Sequence, residues 1–239
     1  MMGVEALIRW HHPQRGLLLP GDFLQVIANT ELEIELGDWV VSNAFQQLRQ
    51  WRQDGQDFEV SINVSAYHLQ SADFVQKLRD KMESCRPQQC KHHLQIEVLE
   101  TAALEDIASI SAIIKSCREF GVGFALDDFG TGYSSLTYLS NLDVDTLKID
   151  QSFVRDMLHE KGDHAIVLGI ISLAKAFERG IVAEGVETEA HFQALLEMGC
   201  EVGQGFWIAR PMPASELIRW AATAKPVCLE QVLAPPGRN

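Results

Sequence analysis

Phe58-Glu-Val-Ser-Ile-Asn-Val-Ser65 decides the fold of this chain. Side chains alternate faces along a strand, so Val60, Ile62 and Val64 share one side and Ser61, Asn63 and Ser65 the other. The same split recurs elsewhere. In Gly123–Asp127, Phe124 and Leu126 oppose Ala125 and Asp127; in Thr146–Asp150, Leu147 and Ile149 oppose Thr146 and Lys148. In His93–Val98, Ile96 and Val98 oppose Gln95 and Glu97. Each stretch has an apolar face suited to packing helices. Its other face is small or polar and carries a charged or amide group near the C-terminal end. Strands of an open sheet covered on both sides would read as apolar throughout. Polar groups converging on one mouth point instead to a closed β/α barrel.

Outward from these stretches, short apolar strands alternate with amphipathic helices, the pattern of a parallel sheet with helical crossovers. Strands are expected at Val4–Arg9, Phe58–Val64, His93–Val98, Val122–Asp127, Val144–Ile149, Gly180–Glu184 and Val202–Ile208. Helices are expected at Glu31–Arg52, Ala72–Ser84, Ile107–Phe120, Asp163–Glu178, Glu189–Met198 and Ala214–Thr223. That is seven strands, where a TIM-like barrel needs eight. No Ser- or Gly-rich linker divides the chain, so residues 1–224 read as one domain. Residues 225–239, with Pro235, Pro236 and Gly237, read as an irregular tail.

The chain has 239 residues and a formal net charge of −13, which argues against general nucleic-acid binding. A small phosphate ligand would need local positive charge, and bound metal ions would supply it. The five cysteines include no CxxC pair, which suits a reducing compartment better than a disulfide framework. Cys85 and Cys90 precede His92 and His93, but this spacing matches no common zinc pattern. The N-terminus lacks a basic segment followed by an apolar one. The longest apolar run, Ala165 to Phe177, is interrupted by Lys175 and too short to span a bilayer. A cytoplasmic protein without membrane contact is expected, or the cytosolic part of a larger one.

Glu5, Asn63, Glu97, Asp127 and Glu184 all fall near the C-terminal ends of different strands; Asp128 follows Asp127, and Lys148 and Gln204 end two further strands. Four or more converging carboxylates cannot all stay ionised without compensation. The usual compensation is a hard cation such as Mg²⁺ or Mn²⁺. With this many oxygen ligands, two ions sharing a bridging carboxylate are expected, a pair suited to in-line displacement at phosphorus. Each residue alone has a plainer reading. A strand carboxylate usually faces solvent, an Asp pair can cap a turn, and a lysine can snorkel. The common parity and common strand end argue against those readings. Gly130 and Gly132 suit a tight loop beside the site, although Gly130-Thr131-Gly132 lacks dinucleotide-binding spacing.

These residues also carry a resemblance. Val4-Glu-Ala-Leu-Ile-Arg-Trp10, Asn63-Val64-Ser65, Glu97-Val-Leu-Glu100, Asp127-Asp-Phe-Gly-Thr-Gly-Tyr-Ser-Ser-Leu136, Lys148-Ile-Asp150, Ala183-Glu-Gly-Val-Glu-Thr188 and Gln204-Gly-Phe206 follow in order. The set closely resembles the EAL domain of cyclic di-GMP phosphodiesterases, from Gly3 to about Thr223. The resemblance implies a metal-dependent enzyme that opens cyclic di-GMP to linear 5′-pGpG. It implies that Glu5, Asn63, Glu97 and Asp127 hold one ion, with Asp127 bridging to a second held also by Asp128 and Glu184. Lys148 would position the attacking water, and Glu187 and Gln204 would support the site. Arg9 would contact a substrate phosphate, and Leu7 and Gln204 would border the substrate. The loop Asp128–Ser135, including Phe129, Gly130, Thr131 and Gly132 and steadied by Glu100, would couple metal binding to a homodimer interface.

Two departures stand out. Glu97-Val-Leu-Glu100 lacks the usual Thr before its second Glu. Family members also carry, ahead of the EAL strand, a helix and a strand with a Tyr-Gln-Pro segment, and that strand pairs antiparallel with the EAL strand. Its absence accounts for the count of seven and would leave an unsealed barrel edge beside Glu5, to be filled by another chain, a swapped element or a further segment. The competing function is a catalytically silent cyclic di-GMP receptor or scaffold. Such relatives lose ligands, whereas here every matched position is filled. Hydrolysis of another cyclic dinucleotide is a third reading. EAL domains often follow sensory or cyclase domains, so a larger signalling protein is expected.

Overall fold

A computed structural model describes residues 3–85, 90, 92–132 and 136–223. The expected tail at 225–239 and positions 133–135 of the aspartate-glycine loop lie outside the described residues. Six parallel strands form one curled sheet in the order β1 (Gly3–Ala6), β4 (Glu59–Asn63), β5 (Leu94–Leu99), β6 (Gly123–Phe129), β7 (Thr146–Ile149) and β8 (Gly180–Ala183). This is the TIM-like architecture that the alternation predicts. Among the described residues, β1 pairs only with β4.

Helices pack the outer face: α1 (Glu31–Gln53), α2 (Ala66–Leu69), α3 (Phe74–Ser84), α4 (Glu100–Glu105), α5 (Ile107–Arg118), α6 (Leu136–Asn141), α7 (Gln151–Asp156), α8 (Lys161–Ala176), α9 (Glu189–Met198) and α10 (Ala214–Thr223). The long helices fall within a few residues of their expected bounds, and α9 and α10 match them. Amphipathic spacing explains α1, which buries Val41, Ala44, Phe45, Leu48 and Trp51 on one face. Punctuation explains α9: the Thr188 hydroxyl accepts the His191 N–H at its start, and left-handed Gly199 ends it.

The strand parity holds. Val60, Ile62, Leu94, Ile96, Val98, Phe124, Leu126, Leu147 and Ile149 are all buried in the core between sheet and helices. The opposite set faces inward across matching registers, with Ser61 beside Gln95, Asn63 beside Glu97, and Ala125 beside Thr146. A polar layer lines the interior below the mouth. The Ser61 hydroxyl donates to Gln95 Oε1 at 3.2 Å, and Gln95 Nε2 donates to Thr146 Oγ1 at 3.1 Å.

Three expectations need correction. Val202–Ile208 is not a strand. It adds one parallel bridge, Ala183 to Gly203, and then turns, with the Ile208 and Ala209 amides bonded back to the Gly205 carbonyl. Gly205 explains the turn: a β-carbon there would stand 2.3 Å from the Val186 backbone, so only glycine lets the segments meet. The first strand ends at Ala6 rather than Arg9. A hairpin follows, β2 (Trp10–His12) and β3 (Gly16–Leu18), turned by left-handed Gly16 and by the His12 ring, which accepts the Gln14 and Arg15 amides. Finally, Cys85 and Cys90 are joined as a disulfide after α3, whereas no pairing was expected. Among the described residues no helix is long and apolar enough to cross a membrane.

Candidate active site

The C-terminal ends of the strands bring the inward-facing polar groups to one mouth. Glu5 stands at the end of β1, where both carboxylate oxygens are claimed. Asn63 Nδ2 donates to Oε1 and Gln204 Nε2 donates to Oε2, each at 2.6 Å. The second bond spans 199 positions of sequence and joins the first strand to the Gly203 bridge segment. It ties the two ends of the curled sheet together at the level of the site.

Lys148, at the end of β7, occupies the middle. Its Nζ lies 2.7 Å from Glu97, 2.6 Å from Glu184, 3.1 Å from Asp127 and 3.7 Å from Glu5, and its side chain is only 3% exposed. Burial alone would favour the neutral amine, but Glu97, Glu184, Glu5 and Asp127 outweigh it and raise the ammonium's pKa. The carboxyls respond the other way. Burial pushes Glu97 up to about 8 despite Lys148, and Glu184 up to about 7. So much negative charge in a buried pocket is not balanced by one ammonium. Burial and mutual repulsion both work against ionising these carboxyls together.

Asp128 needs a separate account, because strand alternation would send it to the face opposite Asp127. The β6–β7 register shifts between Leu126 and Phe129, and Asp128 adopts a left-handed φ of 53°. This irregularity turns consecutive side chains to one side. As a result Asp127, Asp128 and Glu184 each offer a carboxylate oxygen within 4.8 Å of the others, a set able to hold a metal ion. Burial, the Asp127 charge and a hydrogen bond shared with Asp150 push Asp128 up to about 6. Aspartate enters this left-handed region more readily than most side chains, which lets the turn be made here without a glycine.

The loop beyond is pinned from below. Glu100, at the start of α4, accepts the Gly130 amide at 2.9 Å and the Gly132 amide at 3.2 Å. Gly130 is left-handed, and a β-carbon on it would meet Ile170 and Phe153 at 2.9 and 3.0 Å. The Thr131 hydroxyl donates to the Asp128 carbonyl at 2.8 Å. Phe129 is buried in the core, not in the mouth.

The remaining expected residues ring the cavity, whose volume is 2070 Å³. Leu7 is exposed at its rim, and Arg9 folds its guanidinium onto the Ile8 carbonyl at 2.8 Å. Glu187 is solvent-exposed at the rim and stands apart from the three-carboxylate cluster. Asp150 carried no expected role, yet it caps α7 by accepting the Ser152 amide and bears on Asp128. The Ser61–Gln95–Thr146 layer went equally unassigned. Parity had placed those side chains inward, which was the only signal available.

A model of the EAL domain matches residues 1–211. The bifunctional diguanylate cyclase/cyclic di-GMP phosphodiesterase MucR of Pseudomonas aeruginosa is 42% identical over 221 residues, which is 91% of this chain and 32% of that protein. The cyclic di-GMP phosphodiesterase PA2567 of the same organism is 37% identical over 218 residues, 91% of this chain and 37% of that one. The chain thus spans about a third of the length of these curated relatives. Among solved structures, a PaMucR phosphodiesterase in complex with c-di-GMP superposes with a TM-score of 0.85 at 43% identity, covering 91% of this chain and 87% of that one. The EAL enzyme Bd1971, in its cAMP- and cyclic-di-GMP-bound form, follows at 0.84 and 33% identity, covering 91% and 60%.

Proposed function

The chain belongs to the EAL domain family, and from that premise we propose that it is a metal-dependent phosphodiesterase that opens cyclic di-GMP to linear 5′-pGpG. The observation that carries this reading is the complete ring at the barrel mouth. Glu5, Glu97, Asp127 and Glu184 converge on Lys148, with Asp128 turned into the same cluster. A domain that only binds the dinucleotide has no use for so costly a concentration of buried charge.

In this proposal Glu5, Asn63, Glu97 and Asp127 would hold one Mg²⁺ or Mn²⁺, and Asp127, Asp128 and Glu184, whose oxygens lie within 4.8 Å of one another, would hold a second. Bound there, the ions would neutralise the phosphate and acidify a water. The protein's own groups do the rest. Lys148 keeps its proton and directs it at the attacking water, a positively charged donor where negative charge develops. Asn63 and Gln204 fix the Glu5 carboxylate in one orientation. Arg9 releases the Ile8 carbonyl to meet a phosphate, and Leu7 borders the substrate from the rim. Glu187 supports the entrance. Glu100 holds the Phe129–Gly132 loop, through which a homodimer interface senses the site. The domain is taken to be 1–224, acting in the cytoplasm as part of a longer signalling protein. The greater length of the relatives supports that setting.

The test is incubation with cyclic di-GMP in MgCl₂ or MnCl₂, with chromatography of the products. The expected result is pGpG, formed in a metal-dependent way. Tight binding of the dinucleotide without turnover in either metal would leave a receptor in place of an enzyme.

A further inference from the structure

Lys148 is in an unusual position for a residue whose task is to hold a water. Its ammonium has three protons, yet four carboxylates drawn from β1, β5, β6 and the end of β8 lie within 3.7 Å of it. Those contacts have two consequences of opposite sign for a metal ion. Without one, the ammonium is the shared cation that lets Glu5, Glu97, Asp127 and Glu184 stand together in a buried space. When one arrives, the same positive charge lowers the attraction that the ring exerts on it, and the hydrogen bond from Nζ to Glu97 Oε2 and its ion contact with Asp127 Oδ1 stand at oxygens that the ion would take.

We propose that Lys148 is the internal counter-ion of the carboxylate ring, competing with the divalent ion for Glu97 and Asp127. It thereby sets how tightly the protein holds its metal as well as holding the ring together in the metal's absence. The inference rests on the metal-dependent reading above. The affinity of this site is then a compromise: a ring without the lysine would grip the ion harder and collapse more easily when empty.

The experiment is a calorimetric titration of the whole chain with MnCl₂, with no substrate present, for the unsubstituted protein and for Lys148→Met, which keeps a stem of similar volume and removes the charge. The Kd for Mn²⁺ is expected to fall on the order of tenfold in the variant, because a unit positive charge is removed from the buried carboxylate ring that would hold the ion. The Tm of metal-free Lys148→Met should drop, and MnCl₂ should raise it by more than it raises the unsubstituted protein. A variant that unfolds without metal and folds on adding MnCl₂ gives the same answer. Equal or weaker Mn²⁺ binding by the variant would overturn the inference. If the unsubstituted protein binds no Mn²⁺ at all, the metal reading itself falls; if it binds and ignores the substitution, only the counter-ion role falls. Independently of any variant's folding, the ¹⁵N signal of the buried Lys148 ammonium should move when MgCl₂ saturates the unsubstituted protein. An unmoved signal would also sink the proposal.

Discussion

Asp127 meets two demands at once, since it lies 3.1 Å from Lys148 and shares the three-carboxylate cluster with Asp128 and Glu184. Removing its charge while keeping its shape should therefore abolish chemistry without unfolding the protein. Asp127→Asn is expected to lower the rate of pGpG formation by about 100-fold or more, on the scale of losing a metal's contribution to a hydrolysis. Because one buried like charge disappears, its metal-free Tm should stay level or rise. Full activity in that variant would remove Asp127 from the metal set. Gly130 is the second sensitive position. Its φ of 105° strains any other residue, and a methyl group would push the Ile170 Cδ1 end, 2.9 Å away, and the Phe153 ring aside. Gly130→Ala should cost about 1–3 kcal/mol in a urea titration, the scale of backbone strain plus overpacking. At this scale alternation makes the inward placement of Asn63, Glu97, Asp127 and Lys148 legible in the sequence. Asp128 escaped that logic because its orientation comes from a register shift, which period-2 patterning cannot express. Glu187 escaped it too, since a loop residue has no parity to read.

At the scale of elements, the clamp formed by α1, α2 and α3 makes a prediction about pH. His68 on α2 is buried, and its Nε2 lies 3.1 Å from Asp38 Oδ1 on α1. Lys77 on α3 reaches the other Asp38 oxygen at 2.7 Å, and the His68 ring packs edge-on against Phe74 at 5.0 Å. Burial holds the imidazole below its ordinary pKa of 6.5, the nearby Lys77 adding to that, although Asp38 and Glu33 pull it back up. Burial alone would raise the Asp38 carboxyl, but the bonds from Lys77 and His68 outweigh it and leave that carboxyl low. The unfolded chain thus takes up the His68 proton before the folded one, and the linkage slope is positive. Stability is fully present above pH 6.5 and declines as the pH falls through the lower folded value. The Asp38 contribution is lost only below the ordinary carboxylate range. Urea midpoints at pH 7.5 and 5.5 check this, with His68→Gln expected to flatten the difference. An unchanged pH dependence in the variant would place the acid sensitivity elsewhere. Helix periodicity alone locates α1 and α3, but not this clamp, which forms between residues 30 and 39 positions apart. The β2–β3 hairpin was missed for a related reason. Its three-residue strands are too short to show a period, and its turn depends on a histidine ring rather than on an Asn-Gly or Asp-Gly signal.

Among the described residues the main sheet is curled, and its two ends meet at the mouth. Backbone pairing carries β1, β4, β5, β6, β7 and β8 in one continuous series, and Ala183 to Gly203 extends it by a single bridge. From there, Gln204 Nε2 to Glu5 Oε2 links the two ends of the described sheet, and it does so with a residue of the candidate site itself. Closure and the candidate site therefore share one contact, which a count of seven expected strands anticipated only as an open edge beside Glu5. Gln204→Ala should leave one Glu5 oxygen without its donor at a half-buried position, costing about 1–3 kcal/mol. Its distinguishing effect should be local. Amide exchange in Gly3–Ala6 should accelerate, while Leu94–Leu99 and Gly123–Phe129, paired on both sides, keep their protection. A purely local loss at the site would lower turnover with no change in β1 exchange. A closure role predicts both together, with β1 protection and turnover recovering in parallel in Gln204→Asn to the extent that the shorter amide still reaches Glu5. Exchange in β1 that is unaffected by Gln204→Ala would mean that the sheet holds its first strand through β4 alone.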